Sequence, residues 1–432
     1  MPPSLLATLT LGYQLVWNQQ RQAAGVVLLA EPHAGAAIDG SHLLGLLEQT
    51  WSEHSPRLIL LLHSASLLTD VLAHATPASP WIVVPQALLA ADPLLEAQAR
   101  HAHGRGVRMV WRGEPGQTPG SALAALFAQQ LLSLNAGQAL LALRAVLQPD
   151  PARAGAGEAA PTADPADPSA PPARPVLAGQ ICENVASALL IDHCLDAQGA
   201  WGVVGWPVDD ILHGYRNQQP IPPSHAVILR LVAATDADLA LERIEHILAE
   251  EPVLVYRFLR YANSTALGLR TSIDSLRHGL MVLGLSTFKR WLLEQLPGAS
   301  HDANLQPVRT AMLVRARIME QLLDAGDEDS LRSEVLLCGL LSTMHLLLGE
   351  PLASALVQHF PVSERITGAL LGNSGPYAPF LELSRALESP TALATLPALC
   401  ETHQIDIGDV NRALLRALAQ ARAPAPKGRV RR

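Results

Sequence analysis

The chain has 432 residues, 49% of them hydrophobic and 16% charged, with a formal net charge of −8. That apolar content supplies sizeable cores and excludes global disorder, and the length suits two domains of about 100–200 residues each. The acidic balance argues against a chain-wide electrostatic grip on nucleic acid or anionic lipid.

Cys182, Cys194, Cys338 and Cys400 lie far apart without a C-x-x-C pair. This spacing disfavours a disulfide framework or a zinc site and points to a reducing cytosol. The N-terminus lacks a basic n-region followed by an unbroken apolar stretch, so no signal peptide is expected. The most apolar run, Leu58–Leu68, is interrupted by His63, Ser64 and Ser66 and falls short of the ~20 residues a membrane-spanning helix needs. A soluble, cytoplasmic protein without membrane attachment is the expectation.

In chain order, Leu58–Leu62, Trp81–Pro85 and Val107–Trp111 read as buried strands. Between them Ser41–Trp51, Ser64–His74 and Asp92–His103 read as helices, the last stopped by Gly104 and Gly106. Strand and helix in alternation predict a parallel sheet with crossover helices. Residues 149–175 contain eight prolines and nine alanines in 27 positions, a composition that blocks ladders and offers little to bury. The α/β pattern resumes with a strand at Val176–Ile181 and a helix at Ser187–Gln198 and finishes near Trp206, so 149–175 reads as an insertion inside a first domain of residues 1–210.

From about Pro222 the pattern is helix after helix. Helices are expected at Ser224–Ala234, at Ala237–Ala249 behind a Thr235-Asp236 cap, and from Pro252 to about Asn263. Ser272 is expected to cap Ile273–Leu283, Gly284 to end that helix, and Ser286 to cap Thr287–Leu296. Further helices are expected at Val308–Ala325, Leu331–Leu348, Pro351–His359, Ser363–Leu371, Leu381–Leu387 and Val410–Ala421. Residues 211–422 form the second domain and 423–432 a flexible basic tail.

No G-x-G-x-x-G, P-loop, G-x-S-x-G or H-E-x-x-H motif occurs. The sixteen histidines are mostly scattered; His101 and His103 abut Gly104 without a carboxylate, and His301-Asp302 sits in a polar connection, so both read as ordinary surface positions. The strongest pattern is in the helical half. It comprises Glu251-Pro252 before a helix, Leu259-Arg260-Tyr261-Ala262-Asn263-Ser264, Gly268, Ile273 with Ser275-Leu276-Arg277-His278, and Leu283-Gly284-Leu285. This stretch resembles the HDOD domain, an all-helical relative of HD hydrolase domains that has lost the metal-binding residues. Downstream, Cys338-Gly339-Leu340-Leu341-Ser342-Thr343 resembles the segment where active HD hydrolases carry Gly-Leu-Leu-His-Asp. The resemblance places Ser342 and Thr343 at the His-Asp positions, and neutral hydroxyls cannot hold a dinuclear metal centre.

The first half resembles a degenerate EAL domain, a TIM-like barrel that hydrolyses cyclic di-GMP with carboxylate-held Mg²⁺ or Mn²⁺. The likeness rests on Gly12–Asn18, Leu58–Ser64, Trp81–Pro85, Gly106–Gly113, Leu132–Asn135 and Ile181–Asn184. It puts Gln14 in the place of a metal-binding glutamate and Asn18 in that of a substrate-binding arginine. Arg112 and Gly113 stand for an Asp-Asp pair, and Glu183 is the one retained carboxylate. A divalent ion needs several hard oxygen ligands, so the resemblance implies a barrel without catalysis.

The fold expected is therefore α/β plus all-α, a degenerate EAL-type TIM-like barrel followed by an all-helical HDOD domain. The resemblance implies a non-enzymatic signalling protein, without cofactor or metal, that acts through protein–protein contacts in cyclic di-GMP-linked, motility or stress signalling. Its partner is unnamed, and a second copy of the chain is among the candidates. The alternative is a cyclic di-GMP receptor or residual phosphodiesterase. Nucleic-acid binding through the Lys427–Arg432 tail is disfavoured, since a short basic end is usually a solvated terminus. Arg257, Arg260, Arg270, Arg277, Lys289 and Arg290, with the motif residues Asn263 and Gly268, mark a candidate binding patch for an acidic partner.

Overall fold

The structure is a computed structural model. It describes residues 5–33, 38–117, 119–147, 180–215, 220–267, 273, 275–323, 329–359 and 362–421. The insertion 149–175, the tail 423–432, and Gly268, Arg270 and Ser272 lie outside the described residues. The chain divides into two compact units. One comprises Gln14–Ser52 and Pro56–Asp210; the other comprises Met1–Tyr13, Glu53–Ser55 and Ile211–Arg422.

The first unit is built on a closed eight-stranded barrel whose strands follow sequence order. They are β1 (Leu9–Trp17), β2 (Ala23–Pro32), β3 (Arg57–Leu62), β4 (Trp81–Pro85), β5 (Met109–Gly113), β6 (Gln129–Ser133), β7 (Ile181–Glu183) and β8 (Gly202–Val204). β2 to β8 pair in parallel, as the alternation of strand and helix implies. β1 departs from this. It runs antiparallel to β8, with Val16 opposite Val204 and Trp17 opposite Val203. The cause is the link to β2, since a tight turn can join only antiparallel neighbours. Asn18 N donates to Gln22 O at 3.1 Å and Arg21 N to Asn18 O at 2.9 Å. β2 is a strand that the sequence reading does not single out.

Helix starts on the barrel follow local capping chemistry. Asp39 accepts from Ser41 N and His42 N, and Ser64 accepts from Leu67 N. Asp92 accepts from Leu94 N, with Pro93 in the first turn. The helix Pro93–Gly104 ends where Gly106 takes a φ of 84°. Cys182 of β7 and Val203 of β8 pack with Ala139, Ala142, Leu190, Ile191, Cys194 and Leu195 of the surrounding helices. Side chains alternate along a strand, so Ile181 and Glu183 face the barrel interior.

The second unit is helical. His225–Asp236 is capped by Ser224, whose hydroxyl accepts from Val227 N. The next helix, Leu241–Ala249, begins four residues later than its pattern suggests. Asp238 adopts a φ of 50° and Leu239 N donates to Ala234 O at 3.1 Å, a chain reversal that uses the positions read as a cap. Pro252–Ala262 follows, and its Phe258 meets Phe288 and Trp291 at 5.1 and 5.5 Å between ring centroids. The helical run Leu276–Gln295 starts at Ser275, which accepts from His278 N. It is broken at Gly284, where φ is 72° and ψ is 155°, a conformation for which glycine alone carries no Cβ penalty.

Gln306–Leu323 and Asp329–Leu341 cross at Gly339, where a Cβ would lie 2.4 Å from Ala316 Cα. The sequence pattern Leu331–Leu348 reads as one helix. It is two, Asp329–Leu341 and Met344–Leu348, parted at Ser342 and Thr343. Leu352–His359, Glu364–Gly372, Ala378–Glu388, Leu396–His403 and Ile407–Gln420 complete the unit. Residues 5–13 belong to it as well. Leu6, Leu9, Leu11 and Tyr13 are buried, and the fully buried Asn411 bonds their backbone. Its Nδ2 donates to Leu6 O and Leu9 O at 2.8 and 2.7 Å, and its Oδ1 accepts from Leu11 N at 3.2 Å. No helix among the described residues is long and apolar enough to cross a membrane.

Candidate functional site

Two polar clusters occupy the positions that the sequence motifs single out, one in each unit. In the barrel, Arg112 near the end of β5 reaches Glu183 at the end of β7. Arg112 Nε and Nη2 lie 2.9 and 2.7 Å from Glu183 Oε1. The Glu183 side chain is 8% exposed and that of Arg112 29%, so the carboxylate is neutralised inside the barrel by a guanidinium open to the mouth. At the adjacent Gly113, a Cβ would sit 2.2 Å from Trp111 Cη2 and 2.6 Å from Gln86 Oε1. The indole fills the space a side chain would need.

Gln14 is the one half-buried residue of β1. Asn18 serves the turn instead: its Oδ1 accepts from Gln20 N and Gln22 N, both at 2.9 Å. That turn seats Arg21 at a φ of 57°. Arg21 Nη1 and Nη2 grip Asp196 at 2.7 and 2.6 Å, and Nη2 also reaches Asp192 at 2.7 Å. No hydrogen bond or ion pair among the described residues joins Gln14 or Asn18 to the Arg112–Glu183 pair.

In the helical unit, the break at Ser342-Thr343 faces Arg315. Arg315 Nη1 donates to Ser342 Oγ at 3.1 Å and to Thr343 Oγ1 at 3.4 Å, while Nε and Nη2 hold the two oxygens of Glu388 at 2.8 and 2.5 Å. Ser342 Oγ in turn donates to Gly339 O at 2.7 Å. Burial works against the Arg315 charge, yet the Glu388 carboxylate more than offsets it and raises the guanidinium pKa. Tyr13 lies against this pair. Burial first, and then the Glu388 charge, push its phenol well above the ordinary value, with Arg315 pulling the other way. A guanidinium bound to two hydroxyls and a carboxylate is a closed arrangement that repels a divalent cation. Arg315, Glu388 and Asn411 carry no motif in the sequence.

Of the patch residues, Arg257 is half-buried and donates to Gln295 Oε1 at 3.2 Å, and burial lowers its pKa. Arg277 pairs with Glu242 at 2.5 Å, and Lys289 pairs with Asp236. Arg260 and Arg290 are exposed. Asn263 is structural: its Nδ2 donates to Leu259 O and Ile273 O at 2.9 and 2.8 Å, and its Oδ1 accepts from Ile273 N at 2.8 Å. These bonds tie Asn263 to Ile273. His301 stacks on His225 at 4.1 Å between centroids. Among the described residues, no three His, Cys, Asp or Glu side chains converge as a metal-binding group.

Comparison with known proteins identifies residues 221–349 as an HDOD domain. Over 153 residues, 34% of this chain and 37% of the relative, the sequence is 27% identical to the uncharacterized protein YuxH of Bacillus subtilis. Over 210 residues, 46% of each chain, it is 24% identical to the cyclic di-GMP phosphodiesterase CdgJ of Vibrio cholerae. The match thus spans less than half the length of either relative. A solved structure, the MmoQ response regulator of Methylococcus capsulatus, aligns over 45% of this chain and 97% of its own at 17% identity with a TM-score of 0.34.

Proposed function

We propose that this is a non-catalytic signalling protein that works through protein–protein contacts in cyclic di-GMP-linked signalling, with a barrel of degenerate EAL type joined to the HDOD domain. The observation that carries the reading is a guanidinium paired with a carboxylate at each of two places. Where the resemblances imply metal-holding residues, the barrel has Arg112 on Glu183, and the helical unit has Arg315 on Ser342, Thr343 and Glu388. On the resemblances, each guanidinium stands where a hydrolase would need Mg²⁺ or Mn²⁺ to activate water. Each site also leaves its carboxylate engaged by that guanidinium.

A protein-binding role then falls to exposed surface, and Arg260 and Arg290 offer cations for an acidic partner. Charge of this kind sets on-rate and specificity more than affinity. The second reading, a cyclic di-GMP receptor or phosphodiesterase, is favoured by the activity named for the Vibrio relative. One assay separates the two. Purified protein incubated with cyclic di-GMP and Mg²⁺ or Mn²⁺ should release no linear dinucleotide. Turnover that disappears with Glu183→Gln would overturn the non-catalytic reading. Saturable binding without turnover, lost with Arg112→Ala, would favour the receptor.

A further inference from the structure

Around the break at Ser342-Thr343 the helical unit holds more positive charge than it neutralises. Arg315 spends Nε and Nη2 on the two oxygens of Glu388 and Nη1 on Ser342 and Thr343, which ties the end of the helix Ala378–Glu388 to the break. Arg385 stands three residues before Glu388 on that helix, so the two share a face. It is exposed, and among the described residues it makes no hydrogen bond or ion pair. The other carboxylates nearby are engaged elsewhere. His403 Nε2 holds Glu382 at 2.8 Å, and Arg365 and the Tyr377 hydroxyl hold Glu334 at 2.7 and 2.9 Å. Partial burial, and then the Arg315 charge, lower the Arg385 pKa against the pull of Glu388 and Glu382. His345, two residues past Thr343, is exposed, and its ring makes no hydrogen bond or ion pair among the described residues. Burial, and then the Arg385 charge, lower its pKa. Thr343 Oγ1 accepts from Arg315 and, among the described residues, donates to nothing. Burial keeps the Cys338 thiol, pushed up to about 12, and the Tyr13 phenol neutral. Two guanidiniums therefore face one carboxylate, Glu388.

We propose that Arg385, His345 and Thr343 form a binding site for a phosphate group beside the Arg315–Glu388 pair. Arg315 supplies charge rather than bonds, since Glu388 already fills its fork. The donors left over are the Arg385 guanidinium, the Thr343 hydroxyl and the His345 ring, and they come from two elements, the helix Ala378–Glu388 and the break before Met344–Leu348. A carboxylate is a flat acceptor that one guanidinium satisfies by itself, as Arg315 does for Glu388. A phosphate presents oxygens outside one plane and takes a guanidinium, a hydroxyl and an imidazolium together. Charge agrees with this choice. A phosphate monoester carries about −1.5 to −2 at neutral pH, against one excess cation that becomes two when His345 takes a proton. The site goes beyond the functional reading above and stands whether or not the protein turns over a nucleotide.

The test uses the full chain with inorganic phosphate as the probe and chloride to hold the ionic strength constant. The readout is the ring-proton resonance of His345, identified by its loss in His345→Gln. Saturating phosphate should raise the His345 pKa by about 1 unit, as an opposite charge arriving beside the ring does. Sulfate keeps its full charge between pH 5 and pH 8, so linkage makes it bind up to about tenfold more tightly at pH 5. Arg385→Gln should weaken phosphate binding by about 10- to 100-fold and remove the phosphate-induced shift of His345. Arg385→Lys keeps the charge without the fork and should fall between. Phenyl phosphate separates the sources of the group: tighter binding than inorganic phosphate assigns the site to a phosphomonoester, and equal or weaker binding to free phosphate. The proposal fails if phosphate leaves the His345 pKa unchanged, or if Arg385→Gln binds phosphate as the wild-type chain does. It also fails if acetate at equal concentration shifts His345 as far as phosphate.

Discussion

Removing Arg309 should cost the helical unit more than any surface change, and the cost should depend on pH. Glu251, just before the helix Pro252–Ala262, is 0% exposed and Arg309 is 1% exposed. Arg309 Nε lies 2.9 Å from Glu251 Oε2, and the same oxygen accepts from Ser224 N at 2.9 Å. The approach is an ion pair rather than an aligned hydrogen bond, and among the described residues Glu251 Oε1 has no hydrogen-bond partner. Arg309 also donates from Nη2 to Pro222 O at 2.8 Å. Arg309→Met leaves a buried carboxylate unpaired, which costs about 3–5 kcal/mol, and orphans the Pro222 carbonyl for about 1 kcal/mol more.

Protonation limits the loss. Burial already raises the Glu251 pKa above the ordinary carboxylate value despite the pull of Arg309, and without Arg309 it rises further. A carboxyl with a raised folded pKa contributes stability that is present below the unfolded pKa and lost as pH climbs through the folded one. The penalty therefore grows by about 1.4 kcal/mol per pH unit above the unfolded pKa until the folded pKa is reached. Hydrogen exchange of the Pro252–Ala262 amides at pH 5 and pH 8 measures it. Arg309→Met should be more destabilising at pH 8, and Glu251→Gln with Arg309→Met should recover at least half of the loss. A cost under about 1 kcal/mol at pH 8, or one that does not fall at pH 5, would refute the reasoning.

Gly339→Ala forces a methyl to within 2.4 Å of Ala316 Cα and should destabilise the helical unit by about 1–3 kcal/mol, read as a lower urea midpoint. Asn263→Ala removes three hydrogen bonds to Leu259 and Ile273; it should speed exchange at Ile273 and cost about 1–3 kcal/mol. His246 accepts from Arg317 Nη2 at 2.7 Å, and burial, then Arg317, lowers its pKa. Its contribution is present above the unfolded pKa of about 6.5 and is lost as pH falls through the lowered folded value, so His246→Gln should flatten stability against pH just below 6.5.

Much of the architecture is legible without coordinates, because it is written in short-range chemistry. Trp81–Pro85 is a strand as its apolar run implies. The Ser64 hydroxyl caps the helix that follows it, and Gly284 breaks a helix where the pattern stops. Hydrophobic runs, caps and left-handed glycines act over a few residues, and the order of the HDOD motif lies within one stretch. β2 goes unread although its apolar run, Val26–Ala30 inside Ala23–Pro32, carries the same signal as Leu58–Leu62 and Trp81–Pro85, and β1 turns antiparallel because of a hydrogen-bonded turn at Asn18 that composition does not reveal.

Tertiary structure alone decides which charges meet. Arg112 and Glu183 each stand out in sequence, but their pairing spans 71 positions. Arg315 and Glu388 are 73 positions apart with no motif between them, and Asn411 reaches Leu11 across 400. Ion pairs and buried amide contacts fall off within a few ångströms, so they exist only after the apolar faces have packed. The residues available for the site are thus a property of the sequence. The neutralisation of each carboxylate, and the burial of Tyr13 beside Arg315 and Glu388, are properties of the fold.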